Sequence, residues 1–207
     1  DVNEMPTFTS LASFDADENQ TTIGSVTADD VDSSSITFSI SGSDLALTSD
    51  GTLSFVTAPD YETKSSYSAT VTASDGDLSA TQAITVNVNN LNDNAPVFTS
   101  STSFSSDENQ TSIATVTASD ADDSSLSFSV SGSELLITDS GALSFASAPD
   151  YETKSSYTAI ITVSDGVASV TQNITVSINN LNDNAPVFTS SASFSAAENQ
   201  TAIGTVT

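Results

Sequence analysis

The chain of 207 residues contains no cysteine, no histidine and no tryptophan, and it has only two basic residues. Without cysteine, no disulfide can compensate for the thin core of a small secreted domain. Without histidine or cysteine, the usual ligands of zinc and copper are missing, as are the imidazole base and the thiol nucleophile of many enzymes. Carboxylate, amide and carbonyl oxygens remain as ligands, and these suit hard cations.

Positive charge is nearly absent. The chain has 27 Asp and Glu residues against Lys64 and Lys154, which gives a net charge of -25. Such a surface repels nucleic acid and anionic lipid headgroups, so neither is an expected partner. No apolar run approaches the roughly 20 residues of a membrane span, so we expect no membrane insertion in this segment. The 37% of hydrophobic residues lie in short alternating runs, which favours a folded β protein over disorder.

Internal repetition sets the domain organisation. The segment NNLNDNAPVFTS at 89–100 returns unchanged at 179–190, and APDYETKSSY at 58–67 returns at 148–157. The motif E-N-Q-T begins at Glu18, Glu108 and Glu198, at intervals of 90 residues. A period of this length fits one domain per repeat. We therefore predict four segments: a linker at 1–6, repeats at 7–94 and 95–184, and the first two strands of a third repeat at 185–207.

Hydrophobic residues alternate with Ser and Thr within each repeat. Ile36, Phe38 and Ile40 follow this period of two, and further alternating runs bring the total to about seven short strands. The spacing around Gly24 predicts a β-bulge. The predicted fold class is all-β, with tandem seven-stranded Greek-key β-sandwiches.

The acidic residues recur at a fixed phase, in loops at the ends of predicted strands. Residues two apart in an extended loop point the same way, so D-x-D and D-x-E each offer two carboxylates on one side. Amide and carbonyl oxygens add neutral ligands, and calcium takes roughly six to eight oxygens. The recurrent positions are Glu18, Asp30, Asp32, Asp60, Glu62, Asp75 and 92–94 in repeat one, and Glu108, Asp120, Asp122, Asp150, Glu152, Asp165 and 182–184 in repeat two.

In these motifs the chain resembles the cadherin family over its whole length. The family's x-E-x, D-x-D, D-R-E and x-D-x motifs appear in order, with D-R-E written Asp60-Tyr61-Glu62, and the linker follows as N-L-N-D-N-A-P from Asn90. The resemblance implies that three calcium ions sit at each junction. They would be held by the base of one repeat, the linker and the top of the next.

Carried onto this sequence, the resemblance implies ligands at one complete junction and two partial ones. The seven carboxylates of the complete junction would nearly balance three calcium ions. The complete junction would use Glu18, Asp60, Glu62, Asn90, Asn92, Asp93, the Asn94 carbonyl, Asp120, Asp122 and Asp165. The upper partial junction retains Asp1, Asn3, Asp30, Asp32 and Asp75, and the lower one retains Glu108, Asp150, Glu152, Asn180, Asn182, Asp183 and Asn184.

Two features depart from the family pattern. The linkers begin with Asn90 and Asn180 where the family usually has Asp, which lowers the charge at one ion. The first linker at 1–6 is one residue shorter than the others, so its junction is expected to differ in bend or ion count.

The leading functional hypothesis is an extracellular spacer or adhesion module, stiffened by calcium, within a large surface adhesin or filament of the cell surface or secreted type. Its partners would be adjacent repeats, like molecules in a filament, or surface glycans. The alternative is a calcium-dependent module that binds glycans or a partner protein. A glycosidase pair at Asp60 and Glu62 ranks last, so we do not expect an enzyme.

Two further features remain open. Asn19, Asn109, Asn173 and Asn199 lie in N-x-T sequons. Two strands alone cannot bury a core. The segment 185–207 is therefore expected either to belong to a longer chain or to be completed by a neighbouring molecule.

Overall fold

The computed structural model describes residues 2–33, 35–122 and 125–207. These residues form strands and no helix, as the alternating pattern predicts, and no helix of the described chain is long and apolar enough to cross a membrane. Repeat one contains β1 (Thr7–Phe8), β2 (Ser13–Asp17), β3 (Thr22–Ser25), β4 (Ala28–Asp29), β5 (Thr37–Ile40), β6 (Leu45–Leu47), β7 (Thr52–Phe55), β8 (Ser66–Ser74) and β9 (Ser79–Asn89). Repeat two contains β10 (Val97–Phe98), β11 (Ser103–Asp107), β12 (Ser112–Thr115), β13 (Ala118–Ser119), β14 (Ser127–Val130), β15 (Leu135–Ile137), β16 (Ala142–Phe145), β17 (Ser156–Ser164) and β18 (Ser169–Asn179).

Each repeat has two main sheets. In repeat one, a four-stranded sheet has the order β2-β9-β8-β5 and a three-stranded sheet has the order β3-β7-β6. Repeat two has the same orders, β11-β18-β17-β14 and β12-β16-β15. The last strand of each repeat returns to pair in parallel with the second strand, which is the kind of long return expected of a Greek key. The seven main strands match the predicted number, and the short pairs β1-β4 and β10-β13 are additional.

The core lies between the two sheets. Val71 and Val86 of the larger sheet and Leu53 of the smaller one are completely buried in repeat one. Ile161, Val176 and Leu143 hold the equivalent positions in repeat two. The alternation read from the sequence is therefore confirmed: the inward faces of the main strands are apolar, and the outward faces are mostly polar, with many Ser and Thr.

Backbone irregularities fall where the sequence indicated them. The register of β3 against β7 shifts between Thr22 and Gly24, which confirms the predicted bulge. Gly51 has a φ of 92°, and a Cβ atom there would lie 2.2 Å from the carbonyl oxygen of Val26. That oxygen belongs to the residue whose N–H donates back to the Gly51 carbonyl at 2.8 Å, so only glycine fits this turn.

The two lysines occupy equivalent places, and each anchors the loop that carries a D-x-E motif. Lys64 Nζ lies 2.6 Å from Asp44 Oδ2 and 4.1 Å from the centre of the Tyr67 ring. In repeat two, Lys154 contacts Glu134 at 2.6 Å and lies 4.3 Å from the Tyr157 ring. A pair this exposed adds little stability, but cation–π contact and ion pairing together orient the loop.

Segment 185–207 has no assigned strand among its described residues. The Thr189 and Ser190 N–H groups donate to the Thr207 carbonyl at 2.7 and 3.1 Å, as Thr9 and Ser10 donate to Thr27. Phe188 nevertheless remains 79% exposed. The start of a third repeat, together with the predicted domain limits, stays a prediction.

Two adjacent isoleucines in β17 allow the assignment of the inward face to be tested. Ile161 is fully buried, whereas Ile160 is 45% exposed on the outer face. We expect Ile161→Ala to destabilise repeat two by about 2–5 kcal/mol because it leaves a cavity. Ile160→Ala should cost less than about 1 kcal/mol. Denaturant unfolding of both variants measures the difference, and equal costs would contradict the assigned inward face.

Candidate metal centre

The complete junction is assembled from five short segments of the chain. Glu18 follows β2, and the loop 58–64 carries Asp60 and Glu62. The linker 90–96 leaves β9, Asp120 and Asp122 follow β13, and Asp165 follows β17. Each segment is a strand end or a connection, where the backbone has carbonyls and N–H groups outside the sheet ladders. The fold therefore gathers groups from both repeats and from the linker.

Glu18 joins the base of repeat one to the linker. Its side chain is buried, with 3% exposure. One carboxylate oxygen accepts a hydrogen bond from the Tyr61 N–H at 2.8 Å, and the other accepts from the Leu91 N–H at 2.8 Å. A buried carboxylate needs such donors, because burial without them is costly. Glu18 thereby sets the position of both the D-x-E loop and the linker.

Two overlapping carboxylate clusters follow. Oxygens of Glu18, Asp60 and Glu62 lie within 4.8 Å of one another, and so do oxygens of Glu62, Asp93 and Asp122. Glu62 belongs to both clusters. Asp122 comes from repeat two, and its Oδ2 accepts from the N–H groups of Asp93 at 3.0 Å and Asn94 at 2.8 Å. The second cluster therefore spans the junction.

Three further oxygens of the predicted ligands are buried without hydrogen-bond donors. Asn92 Oδ1, Asp120 Oδ2 and Asp165 Oδ2 have no partner among the described residues. The other oxygen of Asp120 accepts from the Asp122 N–H at 2.9 Å, and that of Asp165 accepts from the N–H groups of Val167 and Ala168. Asn92 Nδ2 donates to the Asp165 carbonyl at 3.3 Å, which ties the linker to repeat two.

These unpaired oxygens test whether the residues fit a cation. An unsatisfied buried acceptor is costly and is rare in native proteins. A hard cation satisfies carboxylate and amide oxygens, and the donor set contains no sulfur or imidazole. The chemistry of the two carboxylate clusters and of these three further oxygens therefore fits calcium.

Electrostatics differ among the clustered carboxylates. Loss of hydration, followed by the charges of Glu18 and Asp122, raises the pKa of Glu62. The hydrogen bond from the Asn94 amide holds the pKa of Asp122 below its usual value. The Thr63 hydroxyl likewise lowers the pKa of Asp60. Hydrogen-bond donors thus offset part of the repulsion among the acids.

The upper partial junction shows the same local geometry. Asn3 Nδ2 donates to Asp75 at 3.0 Å, and the Glu4 N–H donates to Asp32 at 3.1 Å. Asp30 accepts from the Asp32 N–H with one oxygen and leaves the other buried and unpartnered. The predicted ligand Asp1 lies outside the described residues.

The lower partial junction repeats the first cluster. Oxygens of Glu108, Asp150 and Glu152 lie within 4.8 Å of one another, and Glu108 is buried like Glu18. Asn180 Nδ2 donates to Glu152 at 3.1 Å. In the same linker, Asn184 Nδ2 donates to Asp183 at 3.1 Å.

Two predicted ligands show no such contact. Asn90 and Asn182 have exposed side chains in their linkers. Their assignment therefore stays a prediction.

Asn19 has a junction role that the sequence reasoning missed. It has a φ of 63°, and its side-chain amide donates to the Asp93 carboxylate. Asn109 has a φ of 66° and donates to Asp183 at 2.5 Å. The recurrence of asparagine directly after each phased glutamate was the available signal, because asparagine tolerates the left-handed conformation.

Comparison with known proteins finds cadherins among the similar sequences. Human Protocadherin Fat 1 is 39% identical over 149 residues, which cover 62% of this chain and 3% of that protein. Mouse Cadherin EGF LAG seven-pass G-type receptor 2 is 33% identical over 152 residues, 67% of this chain and 5% of that protein. The chain is homologous to cadherin ectodomains. No model of a protein family matches it.

Solved cadherin structures share the fold. Human protocadherin-24 EC1-2 has a TM-score of 0.74 at 21% identity, with 87% of this chain and all of that one covered. Mouse cadherin-23 EC22-24 has a TM-score of 0.74 at 25% identity, with 88% of this chain and 68% of that one covered. The chain therefore has the β-sandwich fold of these cadherin structures.

One similar protein carries an enzyme's name. Chitinase A of Pseudoalteromonas piscicida is 32% identical over 179 residues, 85% of this chain and 22% of that protein. The cadherin-like chain thus spans between 3 and 22% of the length of these three relatives. The similarity to the chitinase is partial.

Replacement of Asp93 tests the mapping of the junction. Asp93 belongs to the cluster that spans both repeats. Because ligand charge sets calcium affinity, we expect Asp93→Ala to weaken calcium binding at the complete junction at least about tenfold. Asp139 lies in an exposed turn of repeat two, so Asp139→Ala should bind like the parent. Calorimetric titration compares them, and equal affinities would mean that the ligands are wrongly mapped.

Proposed function

We propose that the chain is a calcium-stiffened spacer within an extracellular adhesion protein, at the cell surface or in a secreted filament. The observation that carries this proposal is the spanning cluster of Glu62, Asp93 and Asp122, which draws one carboxylate from each repeat and one from the linker. Because these carboxylates belong to both repeats and to the linker, a cation bound by them would fix the position of one repeat relative to the other.

Electrostatic repulsion explains why the joint would depend on a cation. Five of the seven carboxylates expected at the complete junction lie in the two clusters, and Asp120 and Asp165 each have a buried oxygen without a donor. No lysine belongs to either cluster. Like charges this close favour separation of the parts that carry them. Bound calcium would supply positive charge to these oxygens. The repeats themselves have separate cores, so the cation would act on stiffness more than on folding.

The residues suggest how ions would be shared. Glu18, Asp60 and Glu62 would hold one ion at the base of repeat one. Glu62, Asp93 and Asp122 would hold another across the joint, and Asn92, Asp120 and Asp165 would hold a third at the top of repeat two. This division corresponds to the three ions that the family resemblance implies.

Sequence repetition supports a spacer. The segments 58–67 and 148–157 are identical, as are 89–100 and 179–190. A spacer needs length and stiffness, which identical units supply, whereas a specific site usually makes one copy diverge. The partners would then be adjacent repeats, and the similarity to proteins as different as a protocadherin and a chitinase fits a shared need for spacing.

Removal of calcium tests the proposal directly. We expect a chelator to lower the melting temperature and to make the chain bend at 90–95, because the ions stabilise only the native junction. Small-angle scattering with calcium, with chelator and with magnesium measures the shape. Magnesium should straighten the chain less than calcium does, since it requires nearly ideal octahedral coordination. Identical profiles in calcium and in chelator would overturn the proposal.

A binding module is the second candidate, and one local divergence favours it. On the outer face of the larger sheet, the cross-strand pair Thr70 and Ala83 of repeat one becomes Ile160 and Asn173 in repeat two. This pair borders a depression of about 310 Å³. An exposed isoleucine beside an amide is suited to the mixed apolar and polar surface of a saccharide or a partner protein.

A glycan array in the presence of calcium distinguishes the two candidates. On the spacer proposal the chain binds no glycan selectively. Selective binding that disappears when Ile160→Thr and Asn173→Ala restore the residues of repeat one would favour the binding module. Binding retained in that double variant would exclude this face as the site.

A further inference from the structure

The side chain of Asn94 lies at the centre of the carboxylate cluster that spans the junction. Its Nδ2 donates to Asp122 Oδ1 at 2.9 Å, to Asp93 Oδ1 at 3.0 Å and to Glu62 Oε2 at 3.2 Å. One amide group therefore contacts repeat one, the linker and repeat two. Its backbone N–H adds a fourth bond, to Asp122 Oδ2 at 2.8 Å.

This arrangement resembles the coordination of a cation. An amide NH₂ group carries two protons and is the positive end of a dipole, so it attracts several carboxylates at once. The three acceptor residues are the same three whose oxygens lie within 4.8 Å of one another. The amide and a cation would bind the same oxygens and would therefore compete for them.

We propose that the Asn94 amide is an internal stand-in for the middle cation, which limits the bending of the junction when calcium is absent and yields its place when calcium binds. The inference rests on the proposed calcium junction. The resemblance to cadherins implies that the backbone carbonyl of Asn94 binds calcium, and this inference adds a role for its side chain.

The other linkers of the chain share parts of this arrangement. Asn184 holds the same linker position, and its Nδ2 donates to Asp183 at 3.1 Å. In the first linker the backbone N–H of Glu4 bonds Asp32, as those of Asp93 and Asn94 bond Asp122. The Glu4 side chain is a carboxylate, which at neutral pH has no proton to donate. Among the described residues, an amide that bonds carboxylates of both repeats is found at Asn94.

Spin labels measure the alignment. The chain has no cysteine, so Ser49→Cys and Ser140→Cys, both at exposed positions of different repeats, can be labelled cleanly. In chelator we expect Asn94→Ala to broaden the distance distribution between the labels, and Asn87→Ala, which removes an amide bonded to Asp15 away from the junction, to leave it like the parent. Asn94→Asp, which replaces the donor with a further carboxylate, should broaden it at least as much. In saturating calcium the four proteins should coincide.

The outcomes separate the two proposals. If calcium narrows the distribution of the parent but Asn94→Ala matches the parent in chelator, the stand-in is wrong and the calcium junction survives. If Asn94→Ala also differs at saturating calcium, the amide has an ordinary structural role and the inference is overturned. If calcium narrows no distribution and no calcium binds by calorimetry, the proposed function itself is wrong.

Nuclear magnetic resonance of the side-chain amides gives an independent readout. In chelator the Asn94 Nδ2 protons should exchange with water more slowly than those of Asn184, because three carboxylates hold them. Calcium should release them and bring their exchange to the rate of a free amide. Fast exchange in chelator, or protection that calcium does not change, would overturn the inference.

Discussion

Repulsion among carboxylates at the joint between the repeats is the constraint on which the rest of the structure depends. Acidic groups from the base of one sandwich, the linker and the top of the next come within a few ångströms of one another. At such separations the interaction of like charges reaches several kcal/mol unless water or counter-charge screens it. The chain has only two lysines, and each is engaged with an acid on its own repeat. Neutralisation must therefore come from backbone and amide donors or from an external cation.

The fold supplies donors where it can. Backbone N–H groups of Tyr61 and Leu91 bond the buried carboxylate of Glu18, and those of Asp93 and Asn94 bond Asp122. Side-chain amides of Asn19 and Asn94 bond Asp93. These bonds explain how the acids stay close without basic residues. They also leave particular oxygens of Asn92, Asp120 and Asp165 unsatisfied. Because these oxygens have no donor, a hard cation is the ligand that would satisfy them.

The two sandwiches act as rigid supports for this joint. Fully buried residues such as Val71 and Ile161 lock each pair of sheets together, and the paired lysine and tyrosine orient each D-x-E loop. The linker residues 90–95 are not buried and belong to neither core. A spacer built this way would change its stiffness through one short segment, while its domains stay folded.

Much of this could be read from the sequence. The period of 90 residues, the alternation of apolar residues and the phased acids follow from local chemistry, since strands alternate faces and D-x-D loops present two carboxylates on one side. The fold class and the bulge at Gly24 needed no coordinates. The acids that meet in the two clusters were among those implied by the resemblance to cadherins, whereas Asn19 was missed.

Tertiary structure decided how the oxygens are used. Whether a given oxygen faces a donor depends on segments far apart in sequence, such as Leu91 and Glu18, which are 73 residues apart. Asn19 had a local signal in its recurrence after each phased glutamate, but no local pattern reveals that Asn94 places its amide among carboxylates, because asparagine in a linker reads equally well as a turn residue. The sequence determined which groups meet, and only the packing of two repeats against one linker determined which of them bond each other and which stay free for a ligand.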